Sequence, residues 1–291
     1  MPKAEVNGAT IHYHVHGKGT PIIFIHPPLL NSAIFRYQEV QLADPFRVIT
    51  FDIRGHGFSA SSDAPVTYQL IVEDIKSMMD DLDIKSAYLC GYSSGTGVAA
   101  EAMLTYPERF RGAILLGAMP EASDWVVKSQ IALASFMAKA GMKTSLALLI
   151  SKFNADMPET FHNLYYEAIR GDIRNWQQYF AASLSYRCTH RVSRVKAPVL
   201  LIYGQKDFRF KGYGHALHRL LPESTLAFIP GVSHYIPTKA TDLFHDTLTK
   251  WVMQMELRNA AAGAGDVDKH LVRLAADVDL RIPEEVIVAE R

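Results

Sequence analysis

Cysteine is nearly absent from this chain: two residues of 291, Cys90 and Cys188, neither in a CxxC pair. That excludes a disulfide framework and a cysteine-based zinc knuckle. Both thiols are expected to be buried and free, since cysteine packs as a small hydrophobe. Surplus charge is also lacking, with 30 basic and 30 acidic residues and a net charge of zero. No overall basic excess marks the chain for nucleic acid or an anionic membrane surface. Long apolar runs are missing too. None approaches the roughly 18 residues of a spanning helix, and the opening Met1-Pro2-Lys3-Ala4-Glu5-Val6-Asn7 lacks the basic start and apolar stretch of a secretory signal. The expectation is a cytoplasmic protein with no membrane span.

What is present is enough chain to bury a sizeable core, as one large domain or a core with an inserted lobe. Short apolar runs rich in β-branched residues alternate with longer helical patterns. The expected strands are residues 11–15, 21–25, 47–51, 86–90, 113–116, 198–203 and 225–229, and the expected helices 68–82, 95–106, 213–221 and 240–255. From residue 47 onward the order is mainly β-α-β, which predicts a mostly parallel, doubly wound α/β sheet with helices on both faces. The rhythm breaks between residues 119 and 196. Strand-like runs vanish there, and consecutive helical patterns carry Trp125, Phe136, Met142, Phe153, Tyr165, Trp176 and Phe180. The resulting division is a first core part (1–118), a helical cap (119–196), a second core part (197–256), and a linker with C-terminal tail (257–291).

Gly91-Tyr92-Ser93-Ser94-Gly95 has the pattern G-x-S-x-G. Its context matters more than the pattern: Ala87 to Cys90 reads as a buried strand, and Gly95 to Ala102 opens a helix. A serine on so tight a strand-to-helix turn needs small neighbours, because its backbone is strained and the helix packs closely on the strand. With Ile25-His26-Pro27-Pro28, the segment Phe51-Asp52-Ile53-Arg54-Gly55-His56-Gly57-Phe58-Ser59, and Tyr106-Pro107-Glu108-Arg109-Phe110, the chain resembles the α/β-hydrolase family over about residues 4 to 256. The resemblance implies a fold and not a substrate, because this fold hosts many chemistries.

A serine hydroxyl is a poor nucleophile until a base removes its proton, and histidine titrates near neutral pH. Of twelve histidines, His234 stands in the loop after the last expected core strand, where the resemblance places the catalytic base. Asp207, just past the apolar run Leu200-Leu201-Ile202-Tyr203, is the carboxylate expected to orient it, and the chain order Ser, Asp, His fits the family. Asp124 is the alternative acid. Asp52 and His56 read as loop-bracing residues. His12, His14 and His16 alternate along a strand and so would share a face like metal ligands. An exposed polar face on an early edge strand produces the same alternation, so neither a metal nor another cofactor is expected.

A serine in the elbow, where the family uses aspartate for dehalogenase and epoxide hydrolase chemistry, points to acyl transfer to water. The expected enzyme is a serine esterase acting on a small or medium hydrophobic carboxylic ester through an acyl-enzyme. Lactone opening, carbon-carbon bond hydrolysis and perhydrolase-like activity use the same residues, and a ligand receptor with incidental turnover is the non-enzymatic alternative. Stabilising the oxyanion requires backbone donors. One is expected to be the N–H of Ser94. The resemblance implies that the other comes from position 28, but proline has no N–H, so Leu29 becomes the expected donor. Finally, Val267, Leu271, Leu274 and Val278 form a helical stripe without a partner in its own segment. The tail is therefore expected to lie outside the catalytic unit, packing on the core, remaining mobile, or joining two subunits as a homodimer.

Overall fold

The chain, seen here in a computed structural model that describes residues 2–263, 267–276 and 278–289, opens with a hairpin of which only the second strand is among the expected elements. Antiparallel β1 (Lys3–Val6) and β2 (Ala9–His16) are joined by Asn7 and Gly8 at φ 45° and 75°. Two successive left-handed residues form the tight turn that suits strand twist, and Asn-Gly is its usual sequence. β3 (Thr20–Ile25), α1 (Arg36–Gln41) and β4 (Phe46–Phe51) follow, then α2 (Tyr68–Asp81), β5 (Ala87–Tyr92), α3 (Gly95–Thr105) and β6 (Phe110–Leu116). The cap comprises α4 (Trp125–Lys139), α5 (Lys143–Asn154), α6 (Pro158–Ala168) and α7 (Ile173–Ser185). The core resumes with β7 (Val199–Gly204), α8 (Lys211–Leu220), β8 (Ser224–Ile229), α9 (Ile236–Lys239), α10 (Thr241–Ala261), α11 (Lys269–Ala276) and β9 (Ile287–Ala289).

The sheet runs β1-β2-β4-β3-β5-β6-β7-β8-β9, parallel from β4 to β8 and antiparallel at both margins. Every residue of β5 and β7 is buried, as befits central strands covered on both faces. On one face Ile71, Ile75, Val98, Ala102 and Leu217 of α2, α3 and α8 pack on the sheet; on the other, Phe244, Leu248 and Trp251 of α10 do so. Truncating a fully buried aromatic such as Trp251 to alanine costs about 3 to 5 kcal/mol. In the cap, α4 lies on α7 and α5 on α6. Tyr179 of α7 anchors the layer by donating to the His26 carbonyl at the end of β3, 3.1 Å away.

Two expectations are corrected. β2 is an inner strand, paired on both sides, and His12 is buried rather than part of an exposed polar face. Its Nδ1 donates to Asp52, 3.1 Å away, a partner 40 residues distant that no local pattern reveals. The second correction concerns the start of the expected linker, while the tail itself takes one of its expected courses, packing on the core. α10 continues to Ala261, absorbing Asn259 to Ala261 of the expected linker, while Ala264 and Gly265 lie outside the described residues. α11 packs along α10 with Leu271 fully buried and Leu274 half-buried, and β9 extends the sheet from β8. The apolar stripe that lacks a partner in its own segment finds one on its own core, whereas Val278 stays exposed.

Candidate active site

Ser93 sits at the C-terminal end of β5 in the left-handed conformation, φ 53°. Such a conformation in a non-glycine residue costs on the order of 1 to 3 kcal/mol. The surroundings hold it: the Ser93 N–H donates to the Leu116 carbonyl at 2.8 Å, and α3 is pressed against β3. A Cβ on Gly95 would stand 2.2 Å from the Ile25 carbonyl oxygen, so only glycine permits this approach. The strained turn lifts the serine hydroxyl above the sheet edge.

His234 leaves the loop after β8, and its Nε2 lies 2.9 Å from Ser93 Oγ. Its Nδ1 donates to Asp207 Oδ2 at 2.8 Å. Because an ionised carboxylate only accepts, this contact sets the neutral imidazole with its proton on Nδ1 and leaves Nε2 free to accept from the serine. The Asp207 and His234 loops are stitched together by backbone: Gln205 N–H donates to Ile229 at 2.8 Å and Lys206 N–H to Val232 at 2.9 Å. The structure thus brings together three expected residues separated by up to 141 positions. Asp124 takes no part in this hydrogen-bonded triad; its carboxylate caps α4 by accepting from the N–H groups of Val126 and Val127.

Several contacts around the histidine had no local signal. The Phe210 ring lies 4.3 Å from the imidazole and the Tyr92 ring 5.5 Å from it. Gly117, φ 62°, passes so close that a Cβ there would meet the ring at 2.6 Å. Tyr92 in turn donates to Asn154 of α5 at 2.9 Å, linking the elbow to the cap. Gly117, directly after an apolar run, carried the single readable hint.

Ser93 and His234 open onto a cavity of about 580 Å³. Its floor is formed by Pro27, Pro28, Leu29 and Ser94, its roof by Ile131, Met137, Leu146, Ile150 and Phe180 of the cap. Leu29 is buried at φ 74°, like Ser93 a left-handed non-glycine residue. Among the described residues no protein acceptor takes the N–H of Leu29 or of Ser94. The loop that carries Leu29 is braced by Asp52, which accepts from Ser32 N–H and Phe58 N–H, each at 2.8 Å. Burial pushes the Asp52 carboxyl up, but bonds from His12, Phe58 and Ser32 outweigh this and hold it below its ordinary value. Beneath the loop, burial pushes His26 down to about 4 and His56 to about 3, so both are neutral braces. His26 accepts from Ile53 N–H at 2.9 Å. Among the described residues no group of three or more His, Cys, Asp or Glu is placed to hold a metal ion.

The family model described as alpha/beta hydrolase fold matches residues 20–238. The chain belongs to the α/β-hydrolase family. Among curated proteins, it is similar to 3-oxoadipate enol-lactonase 2 of Acinetobacter baylyi, with 24% identity across 64% of this chain and 71% of the relative. Serine hydrolase BPHL of Homo sapiens is 25% identical, covering 84% of this chain and 83% of the relative. Among solved structures, the esterase EaEST from Exiguobacterium antarcticum superposes with TM-score 0.78 at 20% identity, over 86% of this chain and 98% of that one. That likeness concerns the fold alone. These relatives are hydrolases, and among the described residues no helix of this α/β-hydrolase is long and apolar enough to cross a membrane.

Proposed function

We propose that this α/β-hydrolase is a serine esterase that cleaves small or medium hydrophobic carboxylic esters. The observation that carries the reading is the continuous hydrogen-bonded chain Ser93–His234–Asp207, at 2.9 and 2.8 Å, opening onto an apolar cavity. In the proposed mechanism His234 Nε2 takes the Ser93 proton as Oγ attacks the ester carbonyl. Asp207 stabilises the imidazolium that forms. The tetrahedral oxyanion collapses as His234 returns its proton to the leaving alkoxide. Water, activated by His234, then attacks the acyl-enzyme and regenerates Ser93.

The oxyanion is assigned to the N–H groups of Ser94 and Leu29. Among the described residues both are unclaimed by protein acceptors, and the left-handed turn at Leu29 follows two prolines that cannot donate. A structure with a covalent phosphonate on Ser93 tests the assignment: the phosphonyl oxygen should lie about 2.7 to 3.1 Å from both nitrogens. A Leu29 N–H turned away from that oxygen would refute it.

A lactone is an internal ester and fits the same mechanism; the enol-lactonase among the relatives favours it as the second reading. Turnover of a panel of p-nitrophenyl esters and lactones, by the protein and by Ser93→Ala, tests both. Rapid hydrolysis abolished in the variant supports the reading. Tight ligand binding with negligible turnover would instead favour a receptor.

A further inference from the structure

Residues 125–155, which form α4 and α5, contain four lysines and no arginine, aspartate or glutamate. In a chain whose charges balance overall, this is a local basic surplus, offset by acids elsewhere. The flanking acids are engaged: Asp124 caps α4, and Asp156 accepts from the Tyr37 hydroxyl at 2.8 Å. Lys128, Lys139 and Lys152 are exposed, while Lys143 lies over the Trp176 ring.

The same hairpin leaves large apolar side chains in water. Trp125, Leu133 and Phe136 of α4 are 75, 58 and 66% exposed, and Leu148, Leu149 and Phe153 of α5 about half exposed. In α4 Leu133 and Phe136 stand three residues apart and in α5 Leu149 and Phe153 four apart, so each pair shares one helix face, distinct from the buried positions Val127 and Ala138 of α4 and Ala147 and Ser151 of α5. Leu133, Leu149 and Phe153 also line the catalytic cavity, whereas Trp125, Phe136 and Leu148 do not. The apolar surface therefore runs from the mouth of the cavity onto the outer face of the cap.

We propose that the outer face of α4 and α5 docks on an anionic phospholipid surface, with the mouth of the cavity turned toward it. Tryptophan, phenylalanine and leucine on one face, flanked by lysines without acids, is the composition of a helix that lies in a membrane interface. The apolar side chains enter the headgroup boundary while the lysines meet lipid phosphates. A second copy of the chain fits this face poorly, because a two-fold contact would set lysines against the same lysines. Docked in this way, the cavity would draw apolar substrates directly from the lipid phase.

Trp125 supplies the readout, because Trp176 and Trp251 are buried and it alone among the three tryptophans is exposed. Vesicles of phosphatidylcholine with about one-third phosphatidylglycerol should shift its emission to the blue and carry the protein down on sedimentation, less so at about 0.5 M salt. The triple variant Lys128→Glu, Lys139→Glu, Lys152→Glu should bind these vesicles at least about tenfold more weakly. Phe136→Ser with Leu148→Ser should also weaken binding, and Trp125→Phe should lose the spectral shift. p-Nitrophenyl acetate turnover in vesicle-free buffer should stay unchanged in the lysine and Phe136/Leu148 variants, showing that fold and site are intact. No sedimentation and no shift would overturn the proposal, as would equal binding to pure phosphatidylcholine. A concentration-dependent dimer abolished by Phe136→Ser with Leu148→Ser, without vesicle binding, would overturn it in favour of a second copy. Because binding is read without turnover, failure of the esterase reading would leave this result standing, and the reverse.

Discussion

The sheet and the cap treat large apolar side chains in opposite ways. Along β5 and β7 all are buried, while α4 and α5 leave Leu133, Phe136, Leu149 and Phe153 between 47 and 66% exposed. The groups proposed to react follow the same division: Ser93, Asp207 and His234 all stand on loops at the ends of sheet strands, and the cap contributes walls. A buried sheet holds its strand ends rigidly, because moving one strand disturbs its packed neighbours. Chemistry that needs hydrogen bonds near 2.9 Å therefore belongs on the sheet, and selectivity belongs on helices whose faces can vary without disturbing it.

The largest effect that sharpens this contrast is expected from Ser93→Ala, which should lower kcat/KM on p-nitrophenyl butyrate by about 10⁴-fold or more with little change in melting temperature. A cap wall variant such as Ile131→Ala should only redistribute activity among acyl chain lengths, by about tenfold. If it costs as much as the loss of Ser93, the division between chemistry and selectivity fails. Asp207→Asn should reduce kcat by about 10⁴-fold, since an amide no longer secures the imidazole tautomer or stabilises its charge.

Truncation after Gly263 removes α11 and β9, hence the burial of Leu271 and Val286. We expect a loss of about 4 kcal/mol in urea unfolding, with kcat of the folded fraction retained. Abolished turnover in a folded truncated protein would place the tail in the catalytic unit after all.

Acid should act on the core. Burial lowers His26 to about 4, His56 to about 3 and His245 to about 4, whereas the unfolded chain titrates these groups near 6.5. The unfolded state then binds more protons below pH 6.5, so this stability is complete above that pH and drains as pH falls toward 4. Between pH 6.5 and 5.5 each group should contribute a loss of about 1 kcal/mol, measurable as a falling urea midpoint. A flat profile would mean these histidines are not buried and neutral. The smallest effect is expected for Asp124→Ala, which removes the cap of α4 and should cost about 1 kcal/mol of stability while leaving kcat near its original value.

Much of the core was legible in advance, because strand period, helix period and turn chemistry are local properties. The seven expected strands are all present, with ends shifted by a few residues. The elbow is readable because its glycines lie within two residues of the serine, and His234 and Asp207 because each stands in the loop that follows an apolar run. β1, four residues long, is too short for its alternation to stand out, although Asn7-Gly8 marks the turn that makes it.

Local pattern alone accounts for the alternation of strands and helices, the helical stretch that interrupts it, and the positions of Ser93, Asp207 and His234 after successive strands. Tertiary structure alone decided which residues meet. It paired His12 with Asp52, packed Phe210 and Gly117 against His234, bonded Tyr92 to Asn154, and seated Leu271 in the core. The physical reason is one of range. Periodicity reports which face of an element is apolar, but the identity of the surface that covers that face, or of the acceptor a buried donor finds, depends on segments tens of residues away that only folding brings into contact.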